Sequence, residues 1–276
     1  MWMESIIDLQ KEYHSKIDHL DLDLIMAHVL RKPREFVLAH LEYKPSRAQL
    51  TKMRSFIARR GKQEPLAYIL GHKEFYGLNF KVSTDTLIPR PETELLIEEV
   101  LQLNPQGKNI IDVGTGSGNI IITLAQNIPA KNIFFGIDIS KEALKIAKQN
   151  SKINQVLNKI KFLHGNLLDK IKKIDNSIII ANLPYLSQEI YDATLPNVKK
   201  FEPKSALYSP KEGLGHYDRL MEQIAKLNPK TCTIFLEISP EQKTKLPKLI
   251  KKHLPRARIG FHKDLADKWR VCKIEI

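Results

Sequence analysis

Three alternating glycines follow a short apolar segment that contains an acid. Asp112 belongs to the apolar run at residues 109–113, and the loop after it holds Gly114, Gly116 and Gly118. Glycine adopts positive φ readily, and its missing side chain lets a ligand lie against bare backbone. In open parallel sheets, ligands bind beyond the carboxyl ends of the strands. The loop is therefore a candidate binding site for an organic cofactor.

The spacing of these glycines separates two cofactor classes. A dinucleotide loop, G-x-G-x-x-G, would place its third glycine at position 119, where this chain has Asn119. The pattern D-x-G-x-G-x-G is instead typical of class I methyltransferases, which use S-adenosyl-L-methionine. Asp138 ends the next predicted strand, where a carboxylate can accept both ribose hydroxyls. After a third strand, Asn166 is predicted to address the adenine amine and Leu167 to cover the adenine face.

A second motif, N-L-P-Y at residues 182–185, follows the apolar run 178–181. Motifs of the form [ND]-x-P-[YF] at this place mark methyltransferases that act on planar nitrogens, such as an adenine amine or a glutamine amide. The lone pair of such a nitrogen is delocalised and its N–H is hardly acidic, so a general base helps little. Two acceptors that grip the NH₂ group would orient it and stabilise the developing positive charge.

The motif supplies groups for this task. The Asn182 side-chain oxygen can be one acceptor, and the backbone carbonyl of Leu183 or Pro184 can be the other. Pro184 fixes the turn and has no N–H to compete, while Tyr185 offers a flat face for the planar amide. We predict Asn182, Pro184 and Tyr185 as catalytic residues. A sulfonium carbon is already activated, so no metal is expected.

The surrounding pattern predicts an α/β fold in three parts. Helical spacing interrupted by prolines indicates a small helical bundle at residues 1–70. Aromatic and β-branched residues between glycines indicate a β-hairpin linker at 71–88. Alternating strands and helices over 89–276 predict a class I methyltransferase (Rossmann-like) sheet with helices on both faces. The segments 258–261 and 268–276 are predicted to close it as a pair of strands, with an antiparallel arrangement as one option.

Charge and composition indicate which classes of partner the protein could bind. Of the net charge of +13, residues 89–276 carry +10, with 30 Lys or Arg against 20 Asp or Glu. A basic surface favours nucleic acid, ribonucleoprotein or acidic protein partners, and scattered solvated lysines are the alternative. The two cysteines, Cys232 and Cys272, predict neither a disulfide framework nor a zinc site. With no secretory signal and no apolar run long enough for a membrane span, we expect a cytoplasmic protein without membrane contact.

The flanking segments resemble the bacterial release-factor glutamine methyltransferases, the HemK/PrmC family. Residues 64–98, which include LIPRPETE, carry the resemblance, with residues 200–221 and 235–242. It implies that the helical domain docks onto a class I peptide-chain release factor, whose Gly-Gly-Gln loop enters the active site. It also implies that Arg90 lines the substrate entrance, that residues 182–185 bind the glutamine, and that residues 114–118 hold the methionine part of the cofactor. The resulting cofactor set is Gly114, Thr115, Gly116, Ser117, Gly118, Asp138, Asn166, Leu167 and Asn182.

One residue departs from this family. The usual motif is N-P-P-Y, and this chain has Leu183 at the second position; the backbone acceptor survives, but we expect a less rigid loop. N-L-P-Y also occurs in ribosomal-RNA adenine dimethyltransferases, whose glycine loop lies near the N-terminus. A methyltransferase for adenine amines of RNA or DNA, or a ribosome-associated binding module with a vestigial site, remain the alternatives. The preferred release factor and the oligomeric state stay open.

Overall fold

The computed structural model describes residues 4–129 and 131–276. Contacts divide the chain into two compact units, one ending at Gly71 and the other running from His72 to Ile276. From residue 4 onward, the first unit holds the helices α1 Ile6–Tyr13, α2 His19–Leu30, α3 Arg34–Ala39, α4 Arg47–Gly61 and α5 Leu66–Leu70. The helices of the second unit are α6 Glu94–Gln102, α7 Asn119–Asn127, α8 Lys141–Ile153, α9 Gln188–Ala193, α10 Pro196–Phe201, α11 Gly215–Leu227 and α12 Leu246–His253. Its strands are β1 His72–Phe75, β2 Leu78–Lys81, β3 Asn109–Val113, β4 Ile133–Asp138, β5 Ile160–His164, β6 Ser177–Ala181, β7 Cys232–Glu237, β8 Arg258–Lys263 and β9 Trp269–Glu275.

Side-chain caps begin the two longest helices of the first unit. The Asp18 carboxylate accepts hydrogen bonds from the backbone N–H groups of Leu20 and Asp21 at the start of α2. Ser46 and Gln49 form a reciprocal capping box at the start of α4. Such caps satisfy N–H groups that the first helical turn leaves unpaired. Apolar residues of α1–α4 then pack into one buried cluster, which agrees with the predicted helical bundle.

The predicted hairpin is present as β1 and β2, which pair antiparallel. Tyr76 and Gly77 turn the chain with φ of 50° and 70°, as a two-residue hairpin turn with positive φ at both positions requires. The Lys81 N–H donates to Asn150 Oδ1 at 2.7 Å, and Asn150 Nδ2 donates to the Lys81 carbonyl at 2.9 Å. These bonds tie β2 to α8, so the hairpin is an integral part of the second unit.

The second unit is built on a seven-stranded sheet in the order β5-β4-β3-β6-β7-β9-β8. Neighbouring strands from β5 to β7 are parallel, while β9 runs antiparallel to both β7 and β8, so the predicted closing pair is antiparallel. Ile110 and Ile178 point into one buried cluster, and Ile111 and Ile179 into another. Since successive side chains of a strand face opposite sides, the sheet is covered on both faces, as predicted.

The register of the parallel strands brings their carboxyl ends to one edge. Val113 lies opposite Ile137 and Ala181, and Ala181 lies opposite Leu236. Segments that follow these strands therefore meet at the same edge of the sheet. The polar or glycine residues that this edge collects are Gly114, Asp138, Asn182 and Glu237.

Two further findings concern expectations from composition. Across residues 4–129 and 131–276, no helix combines the length and apolar character that a membrane crossing demands. Cys232 and Cys272 are both free and buried, and burial raises the pKa of each thiol to about 12. Thiols with pKa values this high are poor nucleophiles at neutral pH.

Candidate active site

A cavity of about 210 Å³, open to solvent at its mouth, lies at the carboxyl edge of the parallel strands. It brings together most of the residues predicted from the sequence: Arg90, Gly114, Thr115, Gly116, Ser117, Asp138, Asn166, Leu167, Asn182, Leu183 and Pro184. Two predicted residues, Gly118 and Tyr185, lie outside its wall.

The glycine loop is held in place by two carboxylates. Thr115 Oγ1 donates to Asp112 Oδ2 at 2.6 Å, and the Gly116 N–H donates to Asp138 Oδ2 at 2.8 Å. Asp138 Oδ1 accepts from the Ser140 N–H at 2.8 Å, so one acid links the loop to the start of α8. Burial raises the pKa of Asp138, and it raises the pKa of Asp112 to about 7.

Gly114 and Gly118, the outer glycines of the loop, allow neighbouring side chains to pack closely against the backbone. Gly114 has φ of 76°, and a Cβ there would lie 2.8 Å from Leu183 Cδ2. Gly118 has φ of 82°, and its Cβ would lie 2.8 Å from Ile122 Cδ1 and 3.2 Å from Ala147 Cβ. Both conformations disfavour any other residue. Gly118 therefore allows α7 and α8 to approach, and Leu183, which is buried, fills the space above Gly114.

The wall predicted for adenine contains a residue in an uncommon conformation. Leu167 lines the cavity with φ of 58°, a left-handed conformation that leucine seldom adopts. Gln223 holds the backbone on both sides of it. Gln223 Oε1 accepts from the Leu168 N–H at 2.7 Å, and Gln223 Nε2 donates to the Asn166 carbonyl at 3.3 Å. The α11 side chain thus stabilises the turn that presents Leu167.

Asn182 is connected to a buried acid through a threonine. Asn182 Nδ2 donates to Thr93 Oγ1 at 3.1 Å, and the Thr93 hydroxyl donates to Glu237 Oε2 at 2.6 Å. Glu237 is 2% exposed, and burial raises its pKa to about 7 although the Thr93 hydrogen bond and Arg270 oppose the shift. Because Asn182 also lines the cavity, its amide joins the solvent-accessible site to this buried group.

Tyr185 lies behind the cavity wall. Its hydroxyl donates to Glu237 Oε1 at 3.3 Å, and the residue lines an adjacent groove with Ser187 and Gln242. Burial, followed by the charge of Glu237, raises the Tyr185 pKa well above its usual value. In this structure the ring therefore supports Glu237, and its predicted stacking on a planar amide remains a prediction.

Arg90 lies at the cavity in an ion pair with a buried carboxylate. Its Nη2 is 2.5 Å from Glu202 Oε1, and the Glu202 side chain is 1% exposed. Glu202 Oε2 also accepts from the Ile88 N–H at 3.4 Å. These contacts attach the segment before α6 to the end of α10 and hold the guanidinium at the cavity wall.

Sequence reasoning did not assign roles to several residues at this site. Thr93, His216 and Arg219 line the cavity, Glu237 lies behind Thr93, and Gln223 supports Leu167. Glu237 could have been identified from the sequence, because it is an acid that ends an apolar strand, as Asp138 is. The other residues come from α11 and the segment before α6, whose sequences do not show which helix face meets the sheet edge.

His216 contacts the loop after β6. Its Nδ1 is 2.8 Å from Ser209 Oγ. Burial and the nearby Arg219 lower the His216 pKa, while a hydrogen bond to the Pro184 carbonyl opposes that shift. The lowered pKa keeps the imidazole neutral at neutral pH.

Comparisons with known proteins agree with this geometry. Residues 6–71 match the model of the PrmC N-terminal domain, and residues 104–253 match a methyltransferase domain. A release factor glutamine methyltransferase of Bacillus anthracis is 33% identical over 264 residues, covering 92% of this chain and 91% of that protein. The enzyme of the same name from Buchnera aphidicola subsp. Schizaphis graminum is 35% identical over 91% of this chain and 90% of its own length.

Solved structures share the fold at lower sequence identity. The hMettl16 catalytic domain, solved in complex with a 3'UTR hairpin, has a TM-score of 0.59 and 15% identity and covers 90% of each chain. A putative rRNA-methylase from Clostridium thermocellum has a TM-score of 0.50 and 15% identity, covering 69% of this chain and all of its own. These likenesses indicate a class I methyltransferase fold. The sequence relatives show the family: the chain belongs to the release factor glutamine methyltransferases.

Proposed function

We propose that this chain transfers the methyl group of S-adenosyl-L-methionine to the side-chain amide nitrogen of the glutamine in the Gly-Gly-Gln motif of class I release factors. The observation that carries the proposal is the Asn182 amide, which lines the cavity beside the glycine loop with its nitrogen engaged by Thr93. Its oxygen is therefore available to accept a hydrogen bond from a planar NH₂ group. Membership of the release factor glutamine methyltransferase family supports the choice of substrate.

The residues present fit the cofactor. Gly116 leaves bare backbone at the cavity wall, Asp138 presents a carboxylate at the end of β4, and Leu167 is held in the wall by its turn. We assign the methionine part to residues 114–117, which line the cavity, the ribose to Asp138, and the adenine to Asn166 and Leu167. When bound, the cofactor supplies an electrophilic methyl carbon activated by a positive sulfur.

The residues of the chain then orient the glutamine nitrogen. Asn182 Oδ1 accepts one amide N–H, and a backbone carbonyl accepts the other. We assign this second role to the carbonyl of Leu183 or Pro184, both of which line the cavity. The two acceptors direct the nitrogen lone pair at the methyl carbon and stabilise the positive charge that grows on nitrogen. The new N–C bond replaces the bond between the methyl carbon and the donor sulfur, which keeps that electron pair. The nitrogen then releases its extra proton to solvent, so no strong base is needed before the attack.

The partner follows from the same assignment. A release factor is a large substrate, and we assign its recognition to the helical unit that precedes the hairpin, with Arg90 at the entrance for the Gly-Gly-Gln loop. Release factors act at cytoplasmic ribosomes, so the proposal implies a cytoplasmic enzyme. An association with the ribosome would fit the net positive charge of the chain.

Mass spectrometry of a recombinant release factor tests the proposal. After incubation with enzyme and S-adenosyl-L-methionine, we expect one added methyl group, on the glutamine of the Gly-Gly-Gln motif. A release factor with that glutamine changed to alanine is the matched control and should stay unmodified. Structured RNA offered in parallel, with a labelled methyl donor, distinguishes the adenine alternative. Label on RNA and none on the release factor would overturn the proposal.

A further inference from the structure

We propose that Thr93 and Glu237 are positioning residues, which hold the Asn182 side-chain amide with its oxygen toward the incoming glutamine. The inference rests on the proposed function, because it assigns the part of the site that gives Asn182 its direction. Neither residue touches the reacting atoms in this assignment. They act through Asn182.

The direction follows from how many protons each group can donate. A threonine hydroxyl has one proton, and at Thr93 it is donated to Glu237 Oε2 over 2.6 Å. The Thr93 oxygen can therefore only accept from Asn182, and it meets the nitrogen end of that amide at 3.1 Å. The two ends of an asparagine amide have nearly the same shape, so packing alone distinguishes them poorly. We call the hydrogen bonds from Asn182 through Thr93 to Glu237 the relay. The carboxylate of Glu237, at the end of the relay, determines which end of the Asn182 amide faces Thr93.

Glu237 is well suited to anchor the relay because it is fixed on several sides. Its Oε1 accepts from the Tyr185 hydroxyl at 3.3 Å, and its backbone carbonyl accepts from the buried Tyr217 hydroxyl. Its backbone pairs with Val271 of β9 in the antiparallel register. A rigid acceptor at this point limits the positions that Thr93 and Asn182 can adopt.

The charge state of Glu237 sets the polarity of the relay. The ionised carboxylate can only accept, which turns the Thr93 proton toward it. A protonated carboxyl can instead donate to Thr93 Oγ1. The Thr93 proton is then free to point at Asn182, which favours the reversed amide with nitrogen toward the cavity. A nitrogen there would meet the substrate NH₂ group donor to donor.

The surroundings of Glu237 place this change near neutral pH. Burial raises its pKa to about 7, and the charge of Glu92 acts in the same direction, while Thr93, Arg270 and the Tyr185 hydroxyl oppose it. Tyr217 also faces Glu237, and its own pKa is raised by burial and by that neighbouring charge, so it stays neutral. The active form is the ionised one, so turnover is expected to fall as the pH drops through about 7.

The test compares two changes at Thr93. Thr93→Val removes the relay hydroxyl and keeps the volume, and Thr93→Ser restores the hydroxyl. Thr123→Val is the matched control, because Thr123 is fully buried and its hydroxyl donates to the Asn119 carbonyl within α7. We expect Thr93→Val to lower kcat about 10- to 100-fold with unchanged cofactor affinity. Thr93→Ser and Thr123→Val should stay within about threefold of the wild type.

The pH profile gives the relay its own signature. The fall in kcat below about pH 7 should disappear in Thr93→Val. Glu237→Gln keeps the shape of the acid and resembles its protonated form. Its kcat should therefore be low at every pH, without a fall below about pH 7. It also provides the test if Thr93→Val does not fold. A Thr93→Val enzyme with wild-type kcat and an unchanged acid limb would overturn the relay.

A spectroscopic measurement is independent of turnover. In protein labelled with ¹⁵N-asparagine, the side-chain NH₂ signal of Asn182 is the one missing from Asn182→Asp. It should shift in Thr93→Val and stay in place in Thr123→Val, and an unmoved signal would contradict the relay. If only the relay is wrong, the wild type still methylates the release factor and Asn182→Ala is still inactive. If the proposed function is wrong, the wild type does not methylate the release factor, whatever the NMR result.

Discussion

The backbone N–H of Gly116 donates a 2.8 Å hydrogen bond to the carboxylate of Asp138. The acid assigned to the ribose therefore also holds the glycine loop assigned to the methionine part of the cofactor. Its second oxygen accepts from Ser140 at the start of α8. One side chain thus links two halves of the cofactor site, and its substitution should affect both binding and stability.

Asp138→Ala should weaken cofactor binding at least about tenfold and lower the free energy of unfolding by about 1–3 kcal/mol, since two backbone N–H groups lose an ionised acceptor. Isothermal titration with S-adenosyl-L-methionine and urea denaturation measure the two effects. Ser140→Ala removes the side-chain cap of α8 and serves as the control. It should cost about 1 kcal/mol of stability and leave affinity nearly unchanged. Unchanged affinity in Asp138→Ala would refute the ribose assignment.

Asn182→Ala should abolish methyl transfer while cofactor binding persists. The variant loses the acceptor that orients the glutamine nitrogen, whereas the glycine loop and Asp138 remain. Single-turnover assays on a release factor, with calorimetry of the cofactor, separate the two steps. If cofactor binding were lost as well, the assigned role of Asn182 would be wrong.

Gly118→Ala should act on stability. A Cβ at this position would lie 2.8 Å from Ile122 Cδ1 and 3.2 Å from Ala147 Cβ, at a φ of 82°. Overpacking and left-handed strain together cost about 2–4 kcal/mol, which thermal denaturation would register as a lower Tm. The folded variant should still bind the cofactor, because Gly118 is not part of the cavity wall. A large loss of affinity at unchanged Tm would show that Gly118 contacts the ligand.

Gln223→Ala should weaken cofactor binding several-fold, because the left-handed turn at Leu167 loses both hydrogen bonds that stabilise it. Gln223→Glu keeps the acceptor for the Leu168 N–H and loses only the donor, so it should fall between wild type and alanine. At saturating cofactor we expect kcat to stay near the wild-type value. The KM for the cofactor is the measurement, and equal KM values in all three proteins would exclude this role.

The pH dependence of stability should reflect Asp112. Burial raises its pKa in the folded protein to about 7, from the ordinary aspartate value of 3.8. Between these values the folded protein keeps a proton that the unfolded chain releases, so the free energy of unfolding falls as the pH rises, and the loss is complete above about 7. Asp112→Asn cannot titrate.

The free energy of unfolding of Asp112→Asn, taken relative to that of the wild type, should rise by about 2 kcal/mol between about pH 5 and about pH 8. Urea denaturation at both pH values gives this difference. Glu237, whose pKa burial also raises to about 7, keeps part of the slope in the variant. A constant difference between the two proteins at both pH values would mean that Asp112 is ionised throughout.

The sequence by itself determined the elements and the chemistry that lies within them. Buried strands have a hydrophobic pattern that is local, and glycine loops and N-L-P-Y carry their function in adjacent residues. For this reason the parallel sheet, the closing pair of strands, the hairpin at β1 and β2, and eleven residues of the cavity wall follow from patterns within short stretches of the chain.

Tertiary structure alone decided which distant side chains support those motifs. Thr93 and Glu237 are 144 positions apart in the chain, and Gln223 reaches Leu168 from another helix. Such contacts depend on which face α11 turns to the sheet and on the strand order that places β7 beside β6. Tyr185 likewise donates to Glu237 across 52 positions of the chain. Hydrogen bonds between elements follow from packing in three dimensions, which no local pattern of residues encodes.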